Sequence, residues 1–344
     1  MSSQKLKISI LIPCYNEEKS IRSSINACLA QTRPFDQILV VNDCSTDNTL
    51  KILKTFGKKI QVIDLKVHAG NKSYAQEQGL PYITGDIFVA TDGDTLLDPK
   101  FNEIIESDFK DKKVAAVAGY VRSLKYNWLT MCRAFDYVIG QNIHKLAQKY
   151  LGYIFVIPGA ASAFRTNVFK KYIGFDHDTI TEDLDFTYKL HKNNLYIHYN
   201  NKAIVYTQDP DTLRSYIGQM RRWYGGGWQN LVKHINNDLV EDPRRVLELS
   251  LIYVEGVVFS FLIFLVPLLN ILWAVKFFLL LTIIVAIEAI LASIIEKRLD
   301  FLLIPFIYPF MMYVNSYVSL EQFIKEGILK SKNLVWYHPA RREI

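Results

Sequence analysis

Cysteine is scarce in this chain: 344 residues carry four, Cys14, Cys28, Cys44 and Cys132, and no two form a C-x-x-C pair. That spacing excludes a disulfide framework and a cysteine-built zinc site and leaves ordinary reduced thiols. A secretory leader is lacking too. "MSSQKLKISILIPCYNEE" has a short polar start, then a strand-like run too short for an h-region, and no small-residue cleavage site. The N-terminal part is therefore expected to stay in the cytosol. Internal repeats and low-complexity linkers are missing, which sets aside a repeat architecture. The net charge of +6 comes with no nucleic-acid-binding motif, so nucleic acid is not the expected partner.

The remaining absence is of charge itself, and it is local. Residues 1–248 carry charges throughout, whereas residues 256–275, "GVVFSFLIFLVPLLNILWAV", hold none. Residues 277–295 follow, broken only by Glu288, and 301–320 form a third uncharged run that contains Pro305 and Pro309. About twenty apolar residues cross a bilayer, and three such runs in succession read as membrane segments. Arg214, Arg221, Arg222, Lys233, Arg244 and Arg245 precede them; Lys325, Lys330, Lys332, Arg341 and Arg342 follow. Such flanks suit an anionic cytoplasmic membrane face. Three crossings would put the basic tail outside; two crossings with a re-entrant or interfacial third segment would keep it cytosolic.

What the first two hundred residues do hold is alternation. "KISILIPCYN", "QILVVND", "IQVIDL" and "GDIFVATDGDT" read as strands separated by helical stretches, the pattern of an α/β fold with a mainly parallel sheet and helices on both faces. "VAAVAGYVRS" reads as a further strand, "WLTMCRAFDYVIGQNIHKLAQKY" as a long helix, "YIFVIPGAASAFRT" as a strand pair around a turn, and "TEDLDFTYKLHKNN" as a helix. Ligands of such sheets sit at the C-terminal strand ends. The polar clusters Tyr15-Asn16-Glu17, Asn42-Asp43 and Asp92-Gly93-Asp94 are expected there.

Asp92 and Asp94 are two apart, so in extended backbone they point the same way. Paired hard carboxylates call for Mg²⁺ or Mn²⁺, with a diphosphate completing the shell. Asp43 is placed to bind a base or ribose, and Asp47 reads as a helix-capping acid. Lys72 pairs with a phosphate or is a solvated helix-start lysine. In "TITEDLDF", Glu182, Asp183 and Asp185 share a helix N-terminus; one of them serves as general base, and spacing does not choose which. "DTLRSYIGQMRRWYGGGW" is amphipathic, with Leu213, Tyr216, Ile217, Met220, Trp223 and Tyr224 on one stripe. Gln219, Arg222 and Trp223 sit at i, i+3, i+4. The stripe reads as lying on the bilayer, the polar face as a phosphate and sugar contact, and the three glycines as a point where the chain bends.

Taken in order, "PCYNEE", "VNDCSTDNT", "GNKSYAQEQG", "TDGDT", "PGAASAFR", "TEDLDF" and "QMRRW" resemble the family 2 glycosyltransferases, inverting GT-A enzymes that include the cellulose, hyaluronan, chitin and poly-N-acetylglucosamine synthases. The resemblance implies a GT-A fold and transfer from a UDP-sugar. It implies that Pro13, Tyr15, Glu17, Asp43, Lys72 and Asp92 bind the donor nucleotide. Asp92 and Asp94 would form the D-x-D metal pair, with Asp94 the direct ligand to Mg²⁺ or Mn²⁺. Asp183 would be the base; Gln219, Arg222, Trp223 and Glu182 would meet donor diphosphate and acceptor. Asp185 reads as a structural helix acid. One departure is Glu77, near the place where family members often carry the Asn of A-x-N-x-G. The expected organisation is a cytosolic GT-A domain over 1–210, amphipathic interfacial helices over 211–248, two to three transmembrane helices over 249–320 and a basic tail over 321–344. The product is a growing glycan, or alternatively a lipid acceptor that receives one sugar.

Overall fold

The computed structural model describes residues 5–68, 70–238, 243–334 and 342–343, with the side chains of 236–252 outside the description. The chain begins β1 (Ile8–Cys14), α1 (Ile21–Leu29), β2 (Gln37–Asn42), α2 (Thr49–Lys54), β3 (Gln61–Asp64), α3 (Lys72–Gly79) and β4 (Ile87–Ala90). These strands pair in parallel in the order β3-β2-β1-β4. Ile8, Ile10, Leu11, Ile12, Leu39, Val40 and Val89 are wholly buried, because a parallel strand covered by helices on both faces is apolar along its whole length.

The next part contains β5 (Leu96–Leu97), α4 (Phe101–Asp108), β6 (Val114–Ser123), α5 (Trp128–Tyr137), α6 (Lys145–Leu151), β7 (Ser162–Arg165), α7 (Thr166–Val168), α8 (Glu182–Lys192) and β8 (Tyr196–Thr207). Here the sheet departs from uniform parallel pairing: β7 is antiparallel to β4 and β6, β5 is antiparallel to β8, and β6 runs parallel to β8. The stretch "YIFVIPGAASAFRT" yields one strand, Ser162–Arg165, and not a pair. Residues 153–161 satisfy backbone groups on side chains instead: Phe155 N–H donates to Gln148 Oε1 (2.9 Å) and Ile157 N–H to Thr187 Oγ1 (3.0 Å). The long helix of 128–151 is interrupted by a π-helical segment, Val138–His144.

Four helices complete the chain: α9 (Leu213–Asp238), α10 (Pro243–Leu269), α11 (Ile271–Glu296) and α12 (Ile304–Gln322). Glycines 225–227 do not bend the backbone; they lie inside α9, where the partners pass too close for a side chain. A Cβ at Gly226 would stand 2.5 Å from the Thr181 side chain, one at Gly227 2.6 Å from the Tyr253 ring, and one at Gly225 2.8 Å from Gln322 Oε1. The apolar stripe of α9 is largely covered by protein, with Trp223 left exposed. Tyr216 and Met220 are buried in one cluster with Leu129 and Phe135 of α5, Ala289 of α11 and Met311 of α12.

Among the described helices two stretches, Ile271–Glu296 and Leu299–Ile328, are long and apolar enough to cross a membrane; the apolar part of α10, Tyr253–Leu269, is shorter. Leu268, Ile271, Trp273, Ile287 and Phe306 are exposed on these helices. Helix α12 and the π-helical turn that follows it (Phe323–Ile328) are bonded to α5 and α9. Tyr308 Oη donates to Asp136 (2.6 Å), Tyr216 Oη to Asn315 (2.7 Å), Arg221 Nε to Glu321 (2.7 Å) and Gln229 Nε2 to Glu326 (3.1 Å). The tail residues 335–341 and 344, with Arg341 among them, and the side chains of Arg244 and Arg245 lie outside the described residues.

The glycine contacts predict an order of sensitivity. Gly226→Ala drives a Cβ into the short, branched Thr181 and is expected to cost about 1–3 kcal/mol by overpacking. Gly225→Ala, which meets only the end of a flexible glutamine, costs less. Thermal unfolding of the two variants checks this, and equal shifts contradict it.

Candidate active site

The strand ends converge on one cavity of about 970 Å³, lined by twelve of the residues singled out from the sequence: Pro13, Tyr15, Glu17, Asp43, Lys72, Asp92, Asp94, Glu182, Asp183, Gln219, Arg222 and Trp223. At the ends of β1 and β2 the chain turns through left-handed residues, Asn16 (φ 52°) and Cys44 (φ 57°). Such conformations are uncommon outside glycine, and the two turns brace each other. Asn16 N–H donates to Ser45 Oγ (3.0 Å) and Thr46 N–H to Asn16 Oδ1 (2.8 Å). The braced turns hold Tyr15 and Asp43 at one end of the cavity. There His68 stacks on the Tyr15 ring at 4.2 Å and its Nδ1 meets Asp43 Oδ2 at 3.0 Å. Glu17 is buried and accepts a short hydrogen bond from Ser20 Oγ.

The middle of the cavity is a chain of opposite charges. Asn71 caps α3 by accepting from Ser73 N–H (2.9 Å), so Lys72 starts the helix. Its Nζ lies 2.6 Å from Asp92 Oδ1 and 2.8 Å from Glu182 Oε1. Those two carboxylates hold the buried ammonium well above the usual lysine range, against the burial that would lower it. Lys72 is thus neither solvated nor idle: it neutralises one carboxylate from each of the D-x-D and T-E-D motifs.

Asp183 follows on α8. Its carboxylate accepts from Leu184 N–H (2.9 Å) and Gly159 N–H (3.3 Å). Burial, reinforced by Glu182, pushes its carboxyl up to about 6, with Lys72 and the two amides opposing. It is therefore an anion at neutral pH yet close enough to neutrality to take a proton, the balance a general base needs. Asp185 differs. It is buried against Lys189 Nζ (2.8 Å), Lys233 Nζ (2.8 Å) and His234 Nε2 (2.9 Å). Despite burial these partners hold its carboxyl far below the usual range. It is a structural acid.

Helix α9 is fastened to this loop through one face. Gly226 meets Thr181; Gln229 Oε1 accepts from Ile180 N–H (3.0 Å); Asn230 Nδ2 donates to Thr181 Oγ1 (2.9 Å); Lys233 and His234 meet Asp185. Positions 226, 229, 230, 233 and 234 recur with helical spacing, and 219, 222 and 223 continue the same face one and two turns earlier. The fastening therefore turns Gln219, Arg222 and Trp223 into the cavity. Glu77, the departure noted above, is engaged elsewhere, with His177 Nε2 at 2.9 Å.

Several lining residues carry no motif and were not found from sequence: His68, Arg133, Tyr137, Gln141 and Lys145. Arg133 lies 4.6 Å from the Trp223 ring and 2.9 Å from Asp136. The signal available for the last four was their spacing of four along the long helix. Asp92 and Asp94 present hard oxygens on one wall, and no cluster of three or more His, Cys, Asp or Glu occurs among the described residues. Two carboxylates with phosphate oxygens supplying the rest is the arrangement Mg²⁺ accepts, so the residues fit.

Residues 5–226 match the family model described as glycosyltransferase like family 2. The poly-beta-1,6-N-acetyl-D-glucosamine synthase of Staphylococcus epidermidis is 30% identical over 230 residues, which is 66% of this chain and 56% of that protein. The Staphylococcus aureus (strain COL) enzyme of the same name is 29% identical over the same span. The chain spans about half the length of the curated relatives it matches (56%). Among solved structures, the mannosyltransferase PcManGT from Pyrobaculum calidifontis, in complex with GDP-Man and Mn²⁺, shares the fold with a TM-score of 0.65 at 17% identity, over 95% of this chain and 89% of that one. S. aureus TarS 1-349 in complex with UDP-GlcNAc gives 0.56 at 18% identity, over 94% and 92%.

The Asp185 cluster predicts a stability effect separable from chemistry. Asp185→Ala removes the anion that Lys189, Lys233 and His234 share; because Asp176 stays beside both lysines and Asp178 beside Lys233, the expected cost is about 1–3 kcal/mol. Because the folded carboxyl is held low, its contribution is complete above the unfolded value of about 3.9 and falls away as the pH drops below it. Thermal unfolding at pH 7 and pH 3 checks both points; an equal difference from wild type at both contradicts them.

Proposed function

The chain belongs to the family 2 glycosyltransferases, and we propose that it transfers N-acetylglucosamine from UDP-N-acetylglucosamine, with inversion, to a hydroxyl of a growing glycan. The observation that carries this reading is the convergence of the donor, D-x-D, T-E-D and Q-x-x-R-W residues on one cavity with Asp183 in its wall. The choice of sugar is supported by the relatives at 29–30% identity.

In this reading Tyr15, Glu17 and Asp43 hold the uridine end. Asp92 and Asp94 would hold Mg²⁺ or Mn²⁺, whose charge offsets that of the diphosphate. Asp183 takes the proton of the acceptor hydroxyl. The oxygen attacks the anomeric carbon on the face opposite the diphosphate; the new glycosidic bond forms as the bond to UDP breaks. Arg222 and Lys72 add fixed positive charge where negative charge develops on the leaving UDP. Trp223, with Arg133 against its ring, offers a face for the acceptor sugar.

A bilayer is the proposed setting. Helix α11 ends with Glu296 held by Tyr120 Oη (2.8 Å) and Arg122 (3.0 Å) of β6, so α10 and α11 leave the catalytic domain and return to it. Helix α12, bonded along its length, then lies at the interface and does not cross. The backbone of Arg342 exchanges two hydrogen bonds with Gln208 (both 2.9 Å), which supports a cytosolic tail. Lys332→Cys on a Cys44→Ser background is expected to react with an impermeant maleimide in inside-out vesicles only; labelling in right-side-out vesicles alone contradicts this topology.

A single addition to a lipid acceptor is the second reading. Its support is the apolar wall beyond Asp183, where Phe155 and Val156 meet Tyr253 of α10. Both readings are tested by giving the purified protein UDP-N-acetylglucosamine, UDP-glucose and GDP-mannose, measuring nucleotide release and sizing the product. Release from UDP-N-acetylglucosamine with a long product is expected; a single lipid-soluble adduct selects the second reading, and release from GDP-mannose alone overturns both. Asp183→Asn is expected to lower kcat about 10²–10⁴-fold with UDP affinity within about twofold. Wild-type kcat/KM should rise with pH up to about 6, where the carboxyl ionises, and then level. Unchanged turnover in the variant removes Asp183 from the base role.

A further inference from the structure

One buried cation in the cavity has no role in the preceding account. Lys145 opens α6 and is 5% exposed. Its Nζ makes no hydrogen bond or ion pair among the described residues and lies over the Tyr199 ring at 5.8 Å. Asp183 is the charge that acts on it, and burial still pulls its ammonium down to about 8. A buried ammonium without a partner is costly, and here the side chain lines the cavity that contains Asp183.

The backbone places it there by an unusual device. Arg133, Tyr137, Gln141 and Lys145 are spaced by four, and all line the cavity. In an α-helix of 3.6 residues per turn such a series drifts by about 40° at each step and would leave the wall. The π-helical segment Val138–His144 slackens the turn and keeps the series on one face. The other lysine that acts on Asp183, Lys72, is taken by Asp92 and Glu182. Gln141 is also committed, to both backbone groups of Val121 (3.0 Å each). Lys145 is thus a buried cation of the same cavity that no described carboxylate pairs with.

We propose that Lys145 is an acceptor-binding residue: its Nζ donates a hydrogen bond to an acceptor oxygen next to the hydroxyl that Asp183 deprotonates. This rests on the transfer reaction inferred above. The ligand class is a sugar presenting a second oxygen, hydroxyl or ring, within reach of the reacting one. The bond forms only when acceptor is present, so its loss appears in acceptor KM and not in nucleotide affinity.

The test uses the full-length protein in detergent, UDP-N-acetylglucosamine and a β-1,6-linked N-acetylglucosamine oligomer as acceptor. Wild-type turnover is measured first; its absence overturns the parent reading and this one together. Lys145→Met is expected to raise acceptor KM about ten- to hundredfold, the range of a charge-assisted hydrogen bond, with the Kd for UDP within about twofold. Lys145→Gln, which keeps a donor, is expected to fall between, and it carries the test if the methionine variant does not fold. An acceptor KM within twofold of wild type in the folded variant overturns the proposal. So does a rise in UDP Kd equal to the rise in KM, which would mark a structural role.

Discussion

The contact between the Thr181 side chain and the bare backbone of Gly226 is the constraint on which the rest of the site depends. It sets the T-E-D loop against α9 with no side chain between them. Asn230 then bonds Thr181, Gln229 bonds Ile180, and Asp185 gathers Lys233 and His234. These anchors share one helical face, so a single fastening fixes both the height and the rotation of α9. Asp183 and the Q-x-x-R-W side chains, about forty residues apart in sequence, are thereby held in one cavity wall as a unit.

Electrostatics follow from that geometry. A carboxylate beside another carboxylate would ordinarily be protonated or displaced. Here Lys72 bridges Glu182 and Asp92, while Asp183 keeps two backbone amides and an intermediate affinity for protons. Asp185, two residues on, lies beside three basic groups and stays charged. Neighbouring acids on one helix start thus take different roles because burial and partners differ, not because their positions in the motif do.

Much of this was legible in the sequence, and the exceptions have physical causes. The parallel strands β1 to β4 were readable because each is a continuous apolar run ending in a polar cluster. The cavity residues were readable because seven short motifs occur in family order. Strand β8 was not, because its bulge at the pairing of Ala118 and Tyr120 breaks the alternation, and polar residues fill the break. The segment 153–161 has strand composition but bonds to side chains. Gly225 to Gly227 look like a break locally; the bulk that requires them, Thr181 and Tyr253, is distant in sequence. The α9 stripe announces a covered face without saying whether lipid or protein covers it. Lys145 belongs to no motif, and the π-helical turn that aims it leaves no mark in composition.

The most direct test of the account is a structure of the protein with UDP-N-acetylglucosamine bound. The account predicts the uracil beside Tyr15 and Asp43, the diphosphate between Asp94 and Arg222, and the anomeric carbon facing a space within hydrogen-bond reach of Asp183, about 3 Å from its carboxylate. A donor bound with its anomeric carbon turned away from Asp183, or with its diphosphate out of reach of α9, would contradict it.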